Sequence, residues 1–158
     1  DIELKKMIEN EFGEGIYIDG RLQRRELAKR AFSTPEATNR INAIVHPAVH
    51  RDFVEWHSKQ KSIYVVREAA ILFESGSYKN CDSIILVEAQ EENRIARVQK
   101  RSDLSVDEIR QRMSKQMPQA QKRSMLTERD YIIENDIDLK GLRDQVNFLH
   151  EALLERFS

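Results

Sequence analysis

Apolar positions recur along this chain in two rhythms, and the change from one to the other divides it. Ile2, Leu4, Met7, Ile8 and Phe12 return at helical spacing and Gly13 follows as a stop, which predicts an opening amphipathic helix. Ile16, Tyr17 and Ile18 ahead of Asp19 and Gly20 predict a short extended piece and a turn. Residues 22–32 predict a second helix, with Leu22, Leu27, Ala31 and Phe32 apolar among charged neighbours. Thr34 is placed as the N-cap of a third, with Pro35 at its first position and Ile41, Ile44 and Val45 on its buried face. His46 and Pro47 repeat that logic. Because proline disfavours a helical residue before it, Pro47 is expected to end one helix and open another over 48–60, where Val49, Phe53 and Trp56 are spaced by four and three.

The texture changes at Ser62. Ile63, Tyr64, Val65 and Val66 form a β-branched run, too short for a helix and suited to a strand buried on both faces. Residues 83–87 are a second such run and 131–133 a shorter third. Helical patterns over 90–101, 106–117, 119–127 and 138–157 separate and follow them. Ser105 and Glu108 make a capping box, Pro118 is a stop, and Leu139, Leu142, Val146, Leu149 and Leu153 give the last helix one apolar stripe. Strands alternating with helices predict an α/β fold with a parallel sheet. Parallel strands need both faces and neighbours covered, so three strands beside this many helices lead to the expectation of at least one more strand ahead of Asp1.

Composition agrees with a globular chain. Of 158 residues, 40% are hydrophobic and 34% charged, too apolar for disorder and enough for one domain with a small subdomain. A net charge of −1 argues against a protein that chiefly coats nucleic acid or an anionic membrane. Yet ten basic residues against four acids between Arg94 and Arg129 leave that stretch at +6 and the remainder at −7. Cys81 is the single cysteine, so no internal disulfide forms, no apolar run approaches the ~20 residues of a membrane span, and no leader pattern precedes the first helix. The expectation is a cytoplasmic protein without membrane or nucleic-acid partners; nothing in the pattern sets an oligomeric state.

Four groups of residues could carry chemistry. Gly15 and Gly20 have the spacing of a phosphate-binding loop, but Arg21 and Leu22 stand where Lys and Ser/Thr are required, and Ile16 to Ile18 are too bulky to cradle phosphate; a turn is expected. His46, His50 and His57 can share a helical face, but the acid that a zinc-protease helix carries after its first histidine is replaced by Pro47, so capping and surface histidines are expected and no metal site. Arg94, Arg97 and Arg101 are spaced by three and four on one helical face, with Arg112 and Gln116 on one face of the next helix. Guanidinium forks suit phosphate oxygens, so this stripe reads either as a phosphate clamp or as a solvated basic face. Glu68 follows the 63–66 run and Glu74 lies six residues on; beyond a parallel strand's carboxyl end Glu68 could meet a substrate group or metal-bound water, or be a surface acid.

Six strings in fixed order resemble dephospho-coenzyme A kinases. Tyr64-Val65-Val66-Arg67-Glu68-Ala69-Ala70-Ile71-Leu72-Phe73-Glu74 is similar to that family's Val-Val-x-Asp-x-Pro-Leu-Leu-Phe-Glu. Asp19-Gly20-Arg21-Leu22 with the following Arg24, Arg25 and Leu27, Ile44-Val45-His46-Pro47, and the segment from Arg94 through Arg97 and Arg101 to Asp103 resemble three more. Gln116-Met117-Pro118, and Asp130-Tyr131-Ile132-Ile133-Glu134-Asn135-Asp136, complete the set. Glu68 stands where the family has Asp, and Ala70 where it has Pro.

The resemblance implies a P-loop kinase fold of nucleoside-monophosphate-kinase type, three-layered with a parallel sheet, here without its first strand and P-loop, which the family order puts ahead of Asp1. It implies a helical substrate-side subdomain over 1–61, an α/β core over 62–93 and 128–158, and a basic helical lid over 94–127. It implies transfer of the ATP γ-phosphate, with Mg2+, to the ribose 3′-hydroxyl of dephospho-CoA, turnover needing the P-loop. Arg97 and Arg101 would then be catalytic lid arginines. Glu68, Glu74 and His46 would bind substrate, and Asn135, Arg101 and Gln116 the nucleotide. Two other readings stand beside it: a fragment that binds nucleotide or CoA-like ligands without turnover, and a basic helical RNA-binding protein, against which the absence of aromatic residues between Arg94 and Arg129 counts.

Overall fold

The computed structural model describes residues 2–158, and the chain forms two compact units, one through Ser62 and one from Ile63 on. In the first unit α1 (Ile2–Phe12) buries Ile8 and Phe12. Gly13 ends it with φ +86°, its N–H bonded to the Glu9 carbonyl at 2.8 Å. Two short antiparallel strands follow, β1 (Tyr17–Ile18) and β2 (Arg21–Leu22), joined by Asp19 and Gly20 with φ of +49° and +75°. Two successive positive φ values make a tight hairpin turn that an Asp-Gly pair adopts readily. The glycine spacing that mimics a phosphate loop is therefore hairpin geometry, and Leu22 belongs to β2 rather than to the helix expected from position 22.

Helix α2 (Arg24–Ala31) sends the Arg30 guanidinium back to α1, where Nη1 donates to the Phe12 and Glu14 carbonyls at 2.8 and 2.9 Å. Those carbonyls lie beyond the helical ladder and take their partner from a side chain instead. Thr34 caps α3 (Pro35–Ser58) as expected, its hydroxyl accepting from the Ala37 N–H at 3.1 Å. Ile8, Phe12, Ile16, Ala31, Ala37 and Ile41 close the core of this unit.

The break expected at Pro47 does not occur: α3 runs through it. Proline forfeits one hydrogen bond, the one to the carbonyl four residues back, on Ala43. Ala43, His46 and Pro47 are all exposed, so water can serve the freed carbonyl. Meanwhile Ala37, Ile41 and Ala48 keep one buried stripe across the site of the expected break.

In the second unit, a 3₁₀ turn (Ser77–Asn80) leads to β3 (Ile85–Glu88), then α4 (Glu91–Arg101), α5 (Val106–Met113), α6 (Gln119–Ser124), β4 (Tyr131–Glu134) and α7 (Leu139–Phe157). The fold is α/β with a small sheet: β3 and β4 run parallel, pairing Ile85 with Tyr131 through Glu88 with Glu134. The strand expected over 63–66 is absent as a strand, because no ladder partner stands beside it among the described residues. Its residues still serve the core. Tyr64 packs against the cluster of Ile133, Leu149 and Leu153, and its hydroxyl shares a 2.6 Å hydrogen bond with His150 Nδ1 on α7. The Ser105–Glu108 capping box forms as expected. The two helices expected to reach 117 and 127 end earlier, at Met113 and Ser124, each followed by tighter turns.

Candidate functional site

β3 and β4 end side by side, and beyond the carboxyl ends of parallel strands is where open α/β sheets gather ligands. The loop after β4 is tied to the start of α4 by side chains. Asp136 accepts the Gln90 N–H through Oδ2 at 2.5 Å and the Asn93 amide through Oδ1 at 3.0 Å. Gln90 makes no cap of its own, so Asp136 caps α4 from 46 residues away. The Asn93 hydrogen bond first, helped by the Gln90 N–H and the Arg97 and Arg94 charges, holds the Asp136 carboxyl below its usual range against the opposing effect of burial. Asn135 donates its N–H to the Glu88 carbonyl at 2.8 Å and accepts from Arg97 Nη2 on its own carbonyl at 2.5 Å.

A cleft of about 800 Å³ opens beside this junction, floored by Leu86 and Val87 of β3. Its walls carry Arg94, Arg110 and Lys122 against the single acid Glu91, so it favours anions. Arg94 is half-buried and its Nε has no hydrogen-bond partner, a buried donor that an anion in the cleft could satisfy. Arg110 stands 3.5 Å from Glu91, and Arg123 of α6 pairs with Glu88 at 3.2 Å.

The residues singled out from the sequence fall into different places. Gln116 lines the cleft beside Arg94. Arg97 and Asn135 meet directly, and Arg101 lies exposed in the last turn of α4, its guanidinium making no hydrogen bond or ion pair with another described residue. Arg112 is exposed on α5. Glu68 is exposed and outside the cleft lining. The Glu74 carboxylate is engaged by protein partners, the Met117 N–H at 2.7 Å and Lys122 Nζ at 3.3 Å. His46 lies on the exposed side of α3, in the first unit. Among the described residues no group of three or more His, Cys, Asp or Glu side chains could hold a metal ion.

Sequence reasoning assigned no role to Asp136, Arg110 or Lys122. Asp136 stands two residues past the end of β4, and nothing local in the sequence names the helix it caps. Asp130 was likewise unread: its carboxylate accepts the Ile84 N–H at 2.7 Å and the Thr127 N–H and hydroxyl at 2.8 and 2.9 Å. Partial burial would raise its pKa, but those bonds and Arg129 lower it further, leaving it below the usual range.

A family model for dephospho-CoA kinase matches residues 1–141. The chain belongs to the dephospho-CoA kinase family. A dephospho-CoA kinase of Acinetobacter baylyi is 35% identical over 150 residues, covering 94% of this chain and 75% of that protein. One from Chlorobaculum tepidum is 37% identical over 163 residues, covering 98% of this chain and 76% of the relative, and one from Thermus thermophilus is 38% identical over 140 residues, covering 89% and 65%. No described helix is long and apolar enough to cross a membrane.

Proposed function

We propose that this chain performs the reaction of its family, phosphorylation of the ribose 3′-hydroxyl of dephospho-CoA by ATP, the last step of coenzyme A synthesis. The observation that carries this is the family match across residues 1–141. Phosphoryl transfer leaves a protein little covalent work, so catalysis rests on holding the phosphates in line and stabilising their charge. A cleft with three cations and one acid, floored by Leu86 and Val87 of β3, suits that task.

Within this reading, residues 94–127 form a lid, 62–93 and 128–158 the α/β core, and 1–61 the substrate side. Turnover is proposed for the protein that carries the family's phosphate loop. Arg101 supplies charge to the transferring phosphate; its lack of a protein partner among the described residues supports this. Arg97 links the lid helix to the Asn135 loop, which flanks the adenine, and Gln116 meets the nucleotide from the cleft wall. Glu68 and His46 are proposed contacts for dephospho-CoA. ATP enters as its Mg2+ complex, an ion that usually keeps phosphate oxygens and waters as most of its ligands. The substrates are small molecules rather than nucleic acid, and the setting is the cytoplasm.

Product analysis decides the matter. The full-length protein with ATP and dephospho-CoA should release ADP and form CoA; binding of both without ADP release would leave only a ligand-binding protein. Arg101→Ala should lower turnover by about 100- to 1,000-fold with the unfolding midpoint unchanged. Wild-type turnover in that variant would remove Arg101 from the mechanism.

A further inference from the structure

Met117 carries a backbone N–H that its own segment cannot use. α5 has ended at Met113, the last turn closes with the Gln116 N–H on the Met113 carbonyl at 3.0 Å, and the next residue is a proline without an N–H. The acceptor is Glu74 Oε1, 43 residues upstream, at 2.7 Å. The same oxygen lies 3.3 Å from Lys122 Nζ on α6, with the lysine side chain 15% and the glutamate side chain 22% exposed. The pairs of Glu11, Glu26, Glu55, Glu88 and Glu91 each leave at least one partner more exposed. Shielding of this kind makes a pair less screened than a surface one.

One carboxylate therefore grips the α5–α6 connection on both sides of Pro118. That connection contributes Gln116, Met117 and Pro118 to the cleft wall, and Lys122 follows one helical turn later. Between the Gln116 and Lys122 N–H groups, both bonded locally, the Met117 N–H is bonded outside the segment.

We infer that Glu74 is a positioning residue, a latch that fixes the α5–α6 turn and so sets where Gln116 and Lys122 stand in the cleft. It acts on ligands through that turn. Burial raises the Glu74 pKa, but hydrogen bonds from its own N–H and the Met117 N–H, together with Lys122, lower it further, so the latch is anionic at neutral pH.

Hydrogen exchange resolved by peptide tests the latch on the chain itself. Glu74→Ala removes acceptor and charge; Glu74→Gln keeps an oxygen for Met117 and loses the attraction to Lys122. In E74A, amides of 114–121 should exchange about tenfold faster while β3, β4 and α7 keep their protection, and E74Q should recover most of the difference. Unchanged exchange at 114–121 in E74A, a rise spread equally through β4 and α7, or an E74Q as open as E74A would each overturn the inference. A kinetic arm rests on the kinase reading: in the full-length enzyme E74A should raise the KM for ATP about fivefold to tenfold, with kcat and the KM for dephospho-CoA within about twofold. A rise in the dephospho-CoA KM instead would make Glu74 a substrate contact and overturn the latch. Loss of all turnover in the wild type would sink the kinase reading, and the exchange arm would still decide the latch.

Discussion

In the N-terminal unit, six buried apolar residues from α1, the hairpin approach, α2 and α3 meet in one cluster, and Ile16 is wholly enclosed. In the C-terminal unit the buried cluster is smaller, centred on Ile133, Leu149 and Leu153, and the segments around the cleft are joined by carboxylates. Asp136 reaches the Gln90 N–H, Asp130 the Ile84 N–H and Glu74 the Met117 N–H, across 46, 46 and 43 residues of sequence. Apolar burial is non-directional and gives an element a place without dictating the aim of each group. Hydrogen bonds to charged acceptors are directional and stronger than neutral ones, and they tolerate a polar cleft alongside. The contrast explains why the unit with the anion-favouring cleft is tied this way: its parts must be aimed.

The comparison breaks first where the core is densest. Ile16→Ala should cost about 3 kcal/mol, from lost burial and the cavity left behind. Chemical denaturation followed by Trp56 fluorescence, with exchange protection falling in the N-terminal unit alone, would confirm it; a cost under about 1 kcal/mol would show the cluster to be loosely packed. Asp130→Ala should cost about 2 kcal/mol in the C-terminal unit, because the Ile84 and Thr127 N–H groups lose their acceptor. Equal stability in that variant would show the bond to be replaceable by water.

Acid weakens the same links by degrees. Asp130, Asp136 and Glu74 have folded pKa values below their ordinary ones, so as pH falls through that range the unfolded chain takes up protons more readily. Their stabilisation is present at neutral pH and is lost as pH falls below about 4 toward the folded values. Amide resonances of Ile84, Gln90 and Met117 should shift in that window before that of Ile16 does. Simultaneous shifts would erase the distinction between the units. The smallest effect should come from Thr34→Ala, about 1 kcal/mol for a lost N-cap, read as a lower unfolding midpoint and faster exchange at the start of α3.

Much of the fold was legible because its signals are local. Helical spacing located α1, α4 and α7, Thr34 and Ser105 announced their caps, and the Asp-Gly pair marked the turn between β1 and β2. The basic bias of 94–129 pointed to the part of the chain that contributes most of the cleft wall. Pro47 misled because its local cost is real, whereas the continuous buried stripe of α3 that outweighs it is a tertiary fact. The run at 63–66 misled for the complementary reason, since a strand exists only with a neighbour, and here Tyr64 packs on the α7 face without a ladder.

Periodicity, caps and turn chemistry, each resting on interactions within about four residues, determined from sequence alone that α1, α4 and α7 are helices, that Thr34 and Ser105 cap α3 and α5, and that the chain turns at Asp19 and Gly20. The ordered motif strings pointed to the family as well. Only the tertiary structure decided that Asp136 caps α4, that Asp130 joins the end of the basic segment to the start of β3, and that Glu74 holds the α5–α6 turn. A carboxylate's partner more than 40 residues away is chosen by how the strands and helices pack, and no spacing in the sequence encodes that distance.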